Sequence, residues 1–402
     1  MSISFLHNPG QSKVTSSTDW ESGVQAARVV HQSLPGFSRT PLVELPALAA
    51  YLGVGRLFVK DESQRLGLSA FKVLGATYAV AQMLAERLRL TCPPTFLELA
   101  RLVHRQFPDA TLVTATDGNH GRGVAWIAQQ LGLRAVIYLP AGAAASRLQA
   151  IRDLGGEAIL TDLNYDDAVR LAAEQAEGQG WMLVQDTAWP GYSRVPAWIM
   201  QGYSTMAAEA KEQLSVAGAE VTHLLLQAGV GSMAAAVQRY WLTASRDAFK
   251  TVLMEPEQAA CFFHSMQVGD GQPHAVGGEL STIMAGLACG EPNPLAWPVL
   301  SQSAAAFASC PDYVAALGMR LLACPLGADQ RVEAGESGAV GIGLLALLML
   351  QAELAADRQR LGLDRNSTIL MFNTEGATDP ENYRRVVWAG AHPVPPEFNC
   401  IF

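Results

Sequence analysis

A lysine in an apolar frame is the first residue of this chain that reads as chemistry. In Ser69-Ala70-Phe71-Lys72-Val73-Leu74-Gly75-Ala76, Lys72 stands between an aromatic ring and a helix-like run, just after the polar turn Asp61-Glu62-Ser63-Gln64-Arg65. A lysine amine attacks an aldehyde only when unprotonated, and an apolar surround favours that form by penalising the ammonium. Most lysines are merely exposed charges, so the reading depends on the motifs that accompany it. One is Leu224-Leu225-Leu226-Gln227-Ala228-Gly229-Val230-Gly231-Ser232-Met233-Ala234-Ala235-Ala236, an apolar strand running into a Gly-x-Gly turn and then an alanine-rich helix. Bare backbone N–H groups and the helix dipole converge there, a setting for a dianionic phosphate. It is not a Walker sequence, since no Gly-Lys-Ser/Thr follows, and it lacks the third glycine of a dinucleotide fingerprint. The other is Val113-Thr114-Ala115-Thr116-Asp117-Gly118-Asn119-His120-Gly121-Arg122-Gly123, again a strand end entering a helix. The amides of Thr116, Asp117 and Gly118 suit a substrate carboxylate. Asp117 or Asn119 could equally be a helix cap, and His120 fits a packed, hydrogen-bonded ring at least as well as a substrate contact.

Such motifs need strands and helices to hold them in place. Short apolar runs at 111–115, 135–139, 157–161 and 182–185 alternate with helical stretches at 121–131, 144–154 and 165–177, a spacing that predicts right-handed crossovers in a parallel sheet. A second set follows: strands at 222–227, 251–255 and 368–372, with helices at 232–242, 258–266 and 343–355. A long helical stretch at 196–214 joins the two. The fold class expected is therefore α/β, with two lobes that are each a mostly parallel twisted sheet flanked by helices. The larger domain takes residues 1–79 and 205–402 and carries Lys72 and the glycine cup; the smaller takes 80–204 and carries the Asn119 turn. The first forty residues are polar and rich in Ser and Thr, and read as an arm that packs on another subunit.

Composition excludes other classes. With 402 residues, half of them hydrophobic, a large buried core is available. Only 16% of residues are charged and the net charge is −9, without a basic run, which argues against nucleic acid and anionic membranes as partners. The apolar run 339–350 is too short and too rich in glycine to span a bilayer, and the N-terminus lacks the basic and apolar regions of a secretory signal. Six cysteines are scattered without C-x-x-C spacing, which argues against a metal site and a secreted disulfide framework and for a cytoplasmic protein. Two of them, Cys261 and Cys289, flank a glycine-rich segment at 268–278.

In their order along the chain, the lysine segment, Gly118-Asn119-His120-Gly121, the glycine cup and Glu336-Ser337-Gly338-Ala339 resemble the fold type II pyridoxal-phosphate enzymes. That group holds serine and threonine dehydratases, threonine synthase and the tryptophan synthase β subunit. Longer blocks at 114–126, 184–189, 198–203, 282–294 and 374–380 narrow the likeness to the diaminopropionate ammonia-lyases, over residues 39–390. The resemblance implies pyridoxal 5'-phosphate as cofactor and Lys72 as its Schiff-base lysine. It implies Asn119 beside the cofactor's 3-hydroxyl, Gly229, Val230, Gly231, Ser232 and Met233 around its phosphate, and Thr374, next to Asn373, beside its pyridine nitrogen. Where dehydratases commonly carry a small neutral residue before Gly-Asn-His, this chain has Asp117, and a second acid, Asp186, follows a predicted strand. A substrate with a second ammonium group explains both acids, although Asp186 also reads as a helix cap.

The activity implied is α,β-elimination of 2,3-diaminopropionate to pyruvate and two ammonia, in a homodimer. Lys72 takes the Cα proton of the L-isomer, and Asp117, on the opposite face, that of the D-isomer. In the ammonia-lyases the two aspartates are associated with substrate binding and with this second proton abstraction. Two other readings share these residues: a serine or threonine dehydratase, and a non-catalytic small-molecule-binding α/β protein.

Overall fold

Strands that are apolar on both faces need helices on both sides. His223–Gln227, with the sequence HLLLQ and every residue buried, is such a strand. The structure, a computed structural model, describes residues 3–11, 18–116, 118–245, 247–396 and 398. In chain order its strands are β1 Ser4–His7, β2 Leu42–Glu44, β3 Arg56–Asp61, β4 Thr111–Ala115, β5 Arg134–Leu139, β6 Glu157–Leu160, β7 Met182–Leu183, β8 His223–Gln227, β9 Lys250–Pro256, β10 Ala306–Cys310 and β11 Thr368–Asn373. They form a seven-stranded sheet ordered β1-β10-β9-β8-β11-β3-β2 and a four-stranded sheet ordered β6-β5-β4-β7. The smaller sheet is parallel throughout. In the larger only the edge strands β1 and β2 pair antiparallel. The chain is thus α/β with two parallel-sheet lobes, and the helices Val73–Arg87 and Arg194–Val216 run unbroken from one to the other.

Three helices meet around the start of the lysine helix, and glycines let them approach. A Cβ on Gly75 would lie 2.4 Å from the Tyr203 ring, one on Gly202 2.6 Å from the Leu74 carbonyl oxygen, and one on Gly123 2.9 Å from Val73 Cα. Any larger residue there would push the helices apart.

Several elements differ from the sequence reading. Parts of the first forty residues, read as an arm for another subunit, pack within this chain. Residues 4–7 form β1 on the edge of the large sheet, and Thr18–Gln32 is a helix packed on Arg194–Val216. Polar composition concealed it because only one side of that helix is buried, through Trp20, Val24, Ala27 and Val30. β10, Ala306-Phe307-Ala308-Ser309-Cys310, is too rich in small residues to read as a strand, yet it lies wholly buried beside β9. The helix expected at 343–355 instead spans Glu336–Leu350. Gly338, Gly341 and Gly343 lower its propensity, but a Cβ on Gly343 would sit 1.8 Å from the Val314 carbonyl oxygen, so close packing against Asp312–Ala323 demands glycine at 343. The expected helix at 258–266 is a 3₁₀ turn, Glu257–Ala259, followed by Cys261–Val268, whose Phe262 and Phe263 N–H groups donate to Glu255 at 2.8 and 2.7 Å. Among the described residues no single helix is long and apolar enough to cross a membrane.

Candidate active site

Five parallel strands end at one cavity. Ligands of open α/β sheets bind at this edge, outside the carboxyl ends of the strands. β3 leads through the 3₁₀ turn Glu62–Gly67 to Lys72, β4 to Asn119, β7 to Asp186, β8 to the glycine cup and β11 to Thr374 and Glu375. Lys72, Asn119, Asp186, Gly229, Val230, Gly231, Ser232, Met233 and Thr374 all line this cavity.

The approach to Lys72 is over-determined. Gly376 N donates to the Ser69 carbonyl at 2.9 Å, Phe71 N to that of Thr374 at 3.2 Å, and Ala70 bridges Glu375. Leu66 and Ser69 hold left-handed backbone, with φ of 50° and 54°, a strain that such pinning sustains. Behind the turn, fully buried Arg65 binds both Glu62 and Glu209, and Lys60 donates to Glu209 at 2.8 Å and to the Thr40 carbonyl at 2.7 Å. This cluster ties β3 and the turn to the helix Arg194–Val216. Lys72 itself starts the helix Val73–Arg87, where the positive end of the dipole works against an ammonium. The Phe71 and Tyr203 rings, with centroids 4.7 Å apart, supply apolar wall.

Lys72 Nζ donates to Asp186 Oδ2 at 3.1 Å. Asp186 is 2% exposed. Burial alone pushes its carboxyl up, but the Lys72 ammonium, His120 and the hydrogen bonds from Lys72 and Tyr165 outweigh it and hold the pKa at about 2. Its position is fixed from both lobes. Gln185 Oε1 accepts from Thr114 Oγ1 and Ala115 N at 2.9 and 3.0 Å. The Asp186 carbonyl accepts from Ser232 Oγ at 2.9 Å and from Asn293 Nδ2 at 3.3 Å.

The cup opens where Gly231, at φ 88°, starts the helix Ser232–Ala244. A Cβ on Gly231 would meet the Phe262 ring at 2.3 Å, and one on Gly229 would meet Leu287 Cα at 3.1 Å and Cys289 Sγ at 3.2 Å. Only bare backbone fits, so the first amides of the helix face the cavity without a preceding carbonyl to bond. At the far end, Thr374 Oγ1 accepts from Gln227 Nε2 at 2.9 Å, which leaves its own hydrogen to donate to a ring nitrogen. Ser337 Oγ is buried and finds no hydrogen-bond partner among the described residues, and Asn119 Nδ2 gives one hydrogen to Glu375 and keeps the other. A phosphate at the cup, a ring between Asn119 and Thr374 and an aldehyde at Lys72 therefore fit the residues present, which is the outline of pyridoxal phosphate.

Other expected residues stand apart from the cavity wall. Thr116 Oγ1 accepts from Gly118 N and Gly121 N at 2.9 and 3.1 Å, bracing the turn from within. Gly118, at φ 145°, abuts Arg147. The His120 ring bonds the Val184 carbonyl at 2.7 Å. Asp117 lies outside the described residues. Tyr165, Gln227 and Glu375 were not anticipated; Gln227 had a signal, as a polar residue closing an apolar strand, whereas Tyr165 opens a helix like many others. Cys261 and Cys289 both approach Gly229, the former donating to its carbonyl at 3.8 Å. A larger cavity beyond, lined by 140–147, 279–283, 379–382, 384 and 385, shares Tyr165 and Cys289 with the site.

The family of pyridoxal-phosphate dependent enzymes matches this chain over residues 34–363. The diaminopropionate ammonia-lyase of Escherichia coli (strain K12) is 49% identical over 377 residues, 94% of each chain. The Escherichia coli enzyme in complex with D-serine has a TM-score of 0.92 at 47% identity, covering 98% of this chain and 99% of that one. Its complex with an aminoacrylate-PLP azomethine reaction intermediate has a TM-score of 0.89 at 46% identity, covering 97% and 98%. The chain belongs to the pyridoxal-phosphate-dependent enzymes and, within them, to the diaminopropionate ammonia-lyase family.

Proposed function

We propose that this protein is a carbon–nitrogen lyase that converts L- and D-2,3-diaminopropionate to pyruvate and two ammonia with pyridoxal phosphate. The observation that carries this is Lys72 facing Asp186 at 3.1 Å in a cavity that also holds the bare glycine cup. When bound, pyridoxal phosphate supplies an aldehyde for an amine and a sink for the electrons left on Cα. The chain's own residues do the rest. The amides of Gly229, Val230, Gly231, Ser232 and Met233 would hold the phosphate, with Asn119 toward the phenolic oxygen and Thr374 toward the ring nitrogen. The freed Lys72 amine removes the Cα proton of the L-isomer. Asp186 pairs with the ammonium that this leaves on Lys72, or with the substrate's own second ammonium. For the D-isomer the proton lies on the other face, and Asp117 is the base. The β-amine departs as ammonia, and hydrolysis of the released unsaturated amine gives pyruvate and the second ammonia. Thr116, Gly118 and His120 shape the turn that meets the substrate carboxylate.

In this reading the domain of residues 1–79 and 205–402 brings Lys72 and the phosphate cup, and that of 80–204 the substrate-carboxylate turn with Asn119. A homodimer in the cytoplasm completes it. A serine or threonine dehydratase would need no second carboxylate beside the lysine. The test is Lys72→Ala: turnover of both isomers should fall at least about a thousandfold, together with loss of the bound cofactor's absorbance. Retained turnover would remove Lys72 from the chemistry.

A further inference from the structure

Glu375 has no part in the account above, yet it lines the cavity and is 1% exposed. Its backbone is bridged to Ala70, two residues before Lys72, and its carbonyl accepts from Gly335 N at 2.9 Å. Three donors meet its side chain. Asn119 Nδ2 and Thr378 Oγ1, the latter at 3.4 Å, bond Oε2, and Ser337 N bonds Oε1 at 3.2 Å. Ser337 lies in the first turn of Glu336–Leu350, whose positive end attracts the same oxygen. Arg122, three residues beyond Asn119 on its helix, is electrostatically coupled to Glu375. The neighbouring acid, Glu336, is pushed up to about 7 by burial and by Glu375.

An asparagine amide can present either its oxygen or its nitrogen to a ligand. A carboxylate opposite removes the choice, because a turned Asn119 would set Oδ1 against the Glu375 oxygens, acceptor against acceptor. On the reading that pyridoxal phosphate occupies this cavity, we propose that Glu375 is a positioning residue: it takes one hydrogen of the Asn119 amide and so aims the other at the cofactor's phenolic oxygen. Lys72 and Asn119 are then aligned by one residue, since Glu375 holds the first through its backbone and the second through its side chain.

The test is a double-mutant cycle on the holoenzyme with Glu375→Gln, Asn119→Ala and the pair together. The readouts are the dissociation constant of pyridoxal phosphate and the pH midpoint of the bound cofactor's absorbance. A glutamine at 375 can donate to Asn119, which then turns its oxygen inward. Each single change should weaken cofactor binding about tenfold and move the midpoint, and the double variant should be no worse than Asn119→Ala. Additive losses overturn the proposal, as does a Glu375→Gln protein with native affinity and midpoint. A rise in KM for diaminopropionate alone also overturns it, since Glu375 would then contact the substrate's second ammonium. Glu375→Asp keeps the charge but shortens the reach, and should behave as Glu375→Gln does. If circular dichroism shows that neither variant folds, Glu375 serves the fold and the proposal fails. A wild-type protein that binds no pyridoxal phosphate refutes the proposed function instead, whereas a loaded wild type with an additive cycle refutes only this inference.

Discussion

At the scale of single residues, the site separates two proton acceptors by environment. Lys72 caps the start of the helix Val73–Arg87 and donates to Asp186 at 3.1 Å. Asp186 has its carboxyl held at about 2 because Lys72, His120 and Tyr165 outweigh its burial, so at neutral pH it is a poor base and a good ion-pair partner. On the proposed function, the D-isomer's proton then falls to Asp117. Asp117→Asn should therefore lower kcat/KM for D-diaminopropionate by about a hundredfold or more while changing the L-isomer by less than about tenfold. Steady-state rates on the two isomers check it, and equal losses would make Asp117 a binding or structural residue.

At the scale of elements, the site depends on backbone that approaches too closely for side chains. Gly231 combines a φ of 88° with a Cβ position 2.3 Å from the Phe262 ring. Gly231→Ala should thus lower stability by about 1–3 kcal/mol and cofactor affinity at least about tenfold, because the helix start must move away from the phosphate. Gly178→Ala is the control: it sits within the helix Tyr165–Gln179 with open space around its Cβ, so alanine should hold or raise stability. Thermal melts and cofactor titrations of both variants decide this, and a Gly231→Ala protein that binds like the wild type would contradict the cup. Much of this was legible in the sequence, since strand, turn glycines and helix lie within one short window around Gly231. The same holds for Lys72 and Asn119. Glu375 was not legible, because its meaning comes from Asn119, 256 positions away in the chain. β10 was missed for a related reason: its alanines are small to fit between neighbouring layers, and no local pattern records that demand.

At the scale of the whole molecule, the buried acids set how stability varies with pH. Burial raises Glu255 to about 8, and burial with the charge of Glu375 raises Glu336 to about 7, both from an ordinary 4.5. A folded-state pKa above the unfolded value means that the native form holds a proton which the unfolded chain has already lost. The stability from these two groups is complete below pH 4.5 and is lost as pH rises through 7 and 8. His31, lowered from 6.5 to about 4 by burial, works in the other direction and only below 6.5. Between pH 6.5 and 8 the cofactor-free protein should therefore lose stability, by at most about 1.4 kcal/mol per pH unit per group. Urea unfolding across that window measures it, and Glu255→Gln should flatten the slope; a stability that rises there would contradict the buried-acid assignment. The two-lobed fold was plain in the alternation of strand and helix, whereas the edge strand β1 and the helix Thr18–Gln32 were not, because their burial is one-sided and depends on partners far along the chain.

A second acid beside Lys72 suits a substrate with a second amine. Ammonia and pyruvate should be measured together during turnover of D- and L-diaminopropionate, with D- and L-serine alongside. The account predicts two ammonia per pyruvate from both diaminopropionate isomers, at a kcat/KM well above that for either serine. One ammonia per pyruvate, or serine as the better substrate, would contradict it and make the protein a dehydratase.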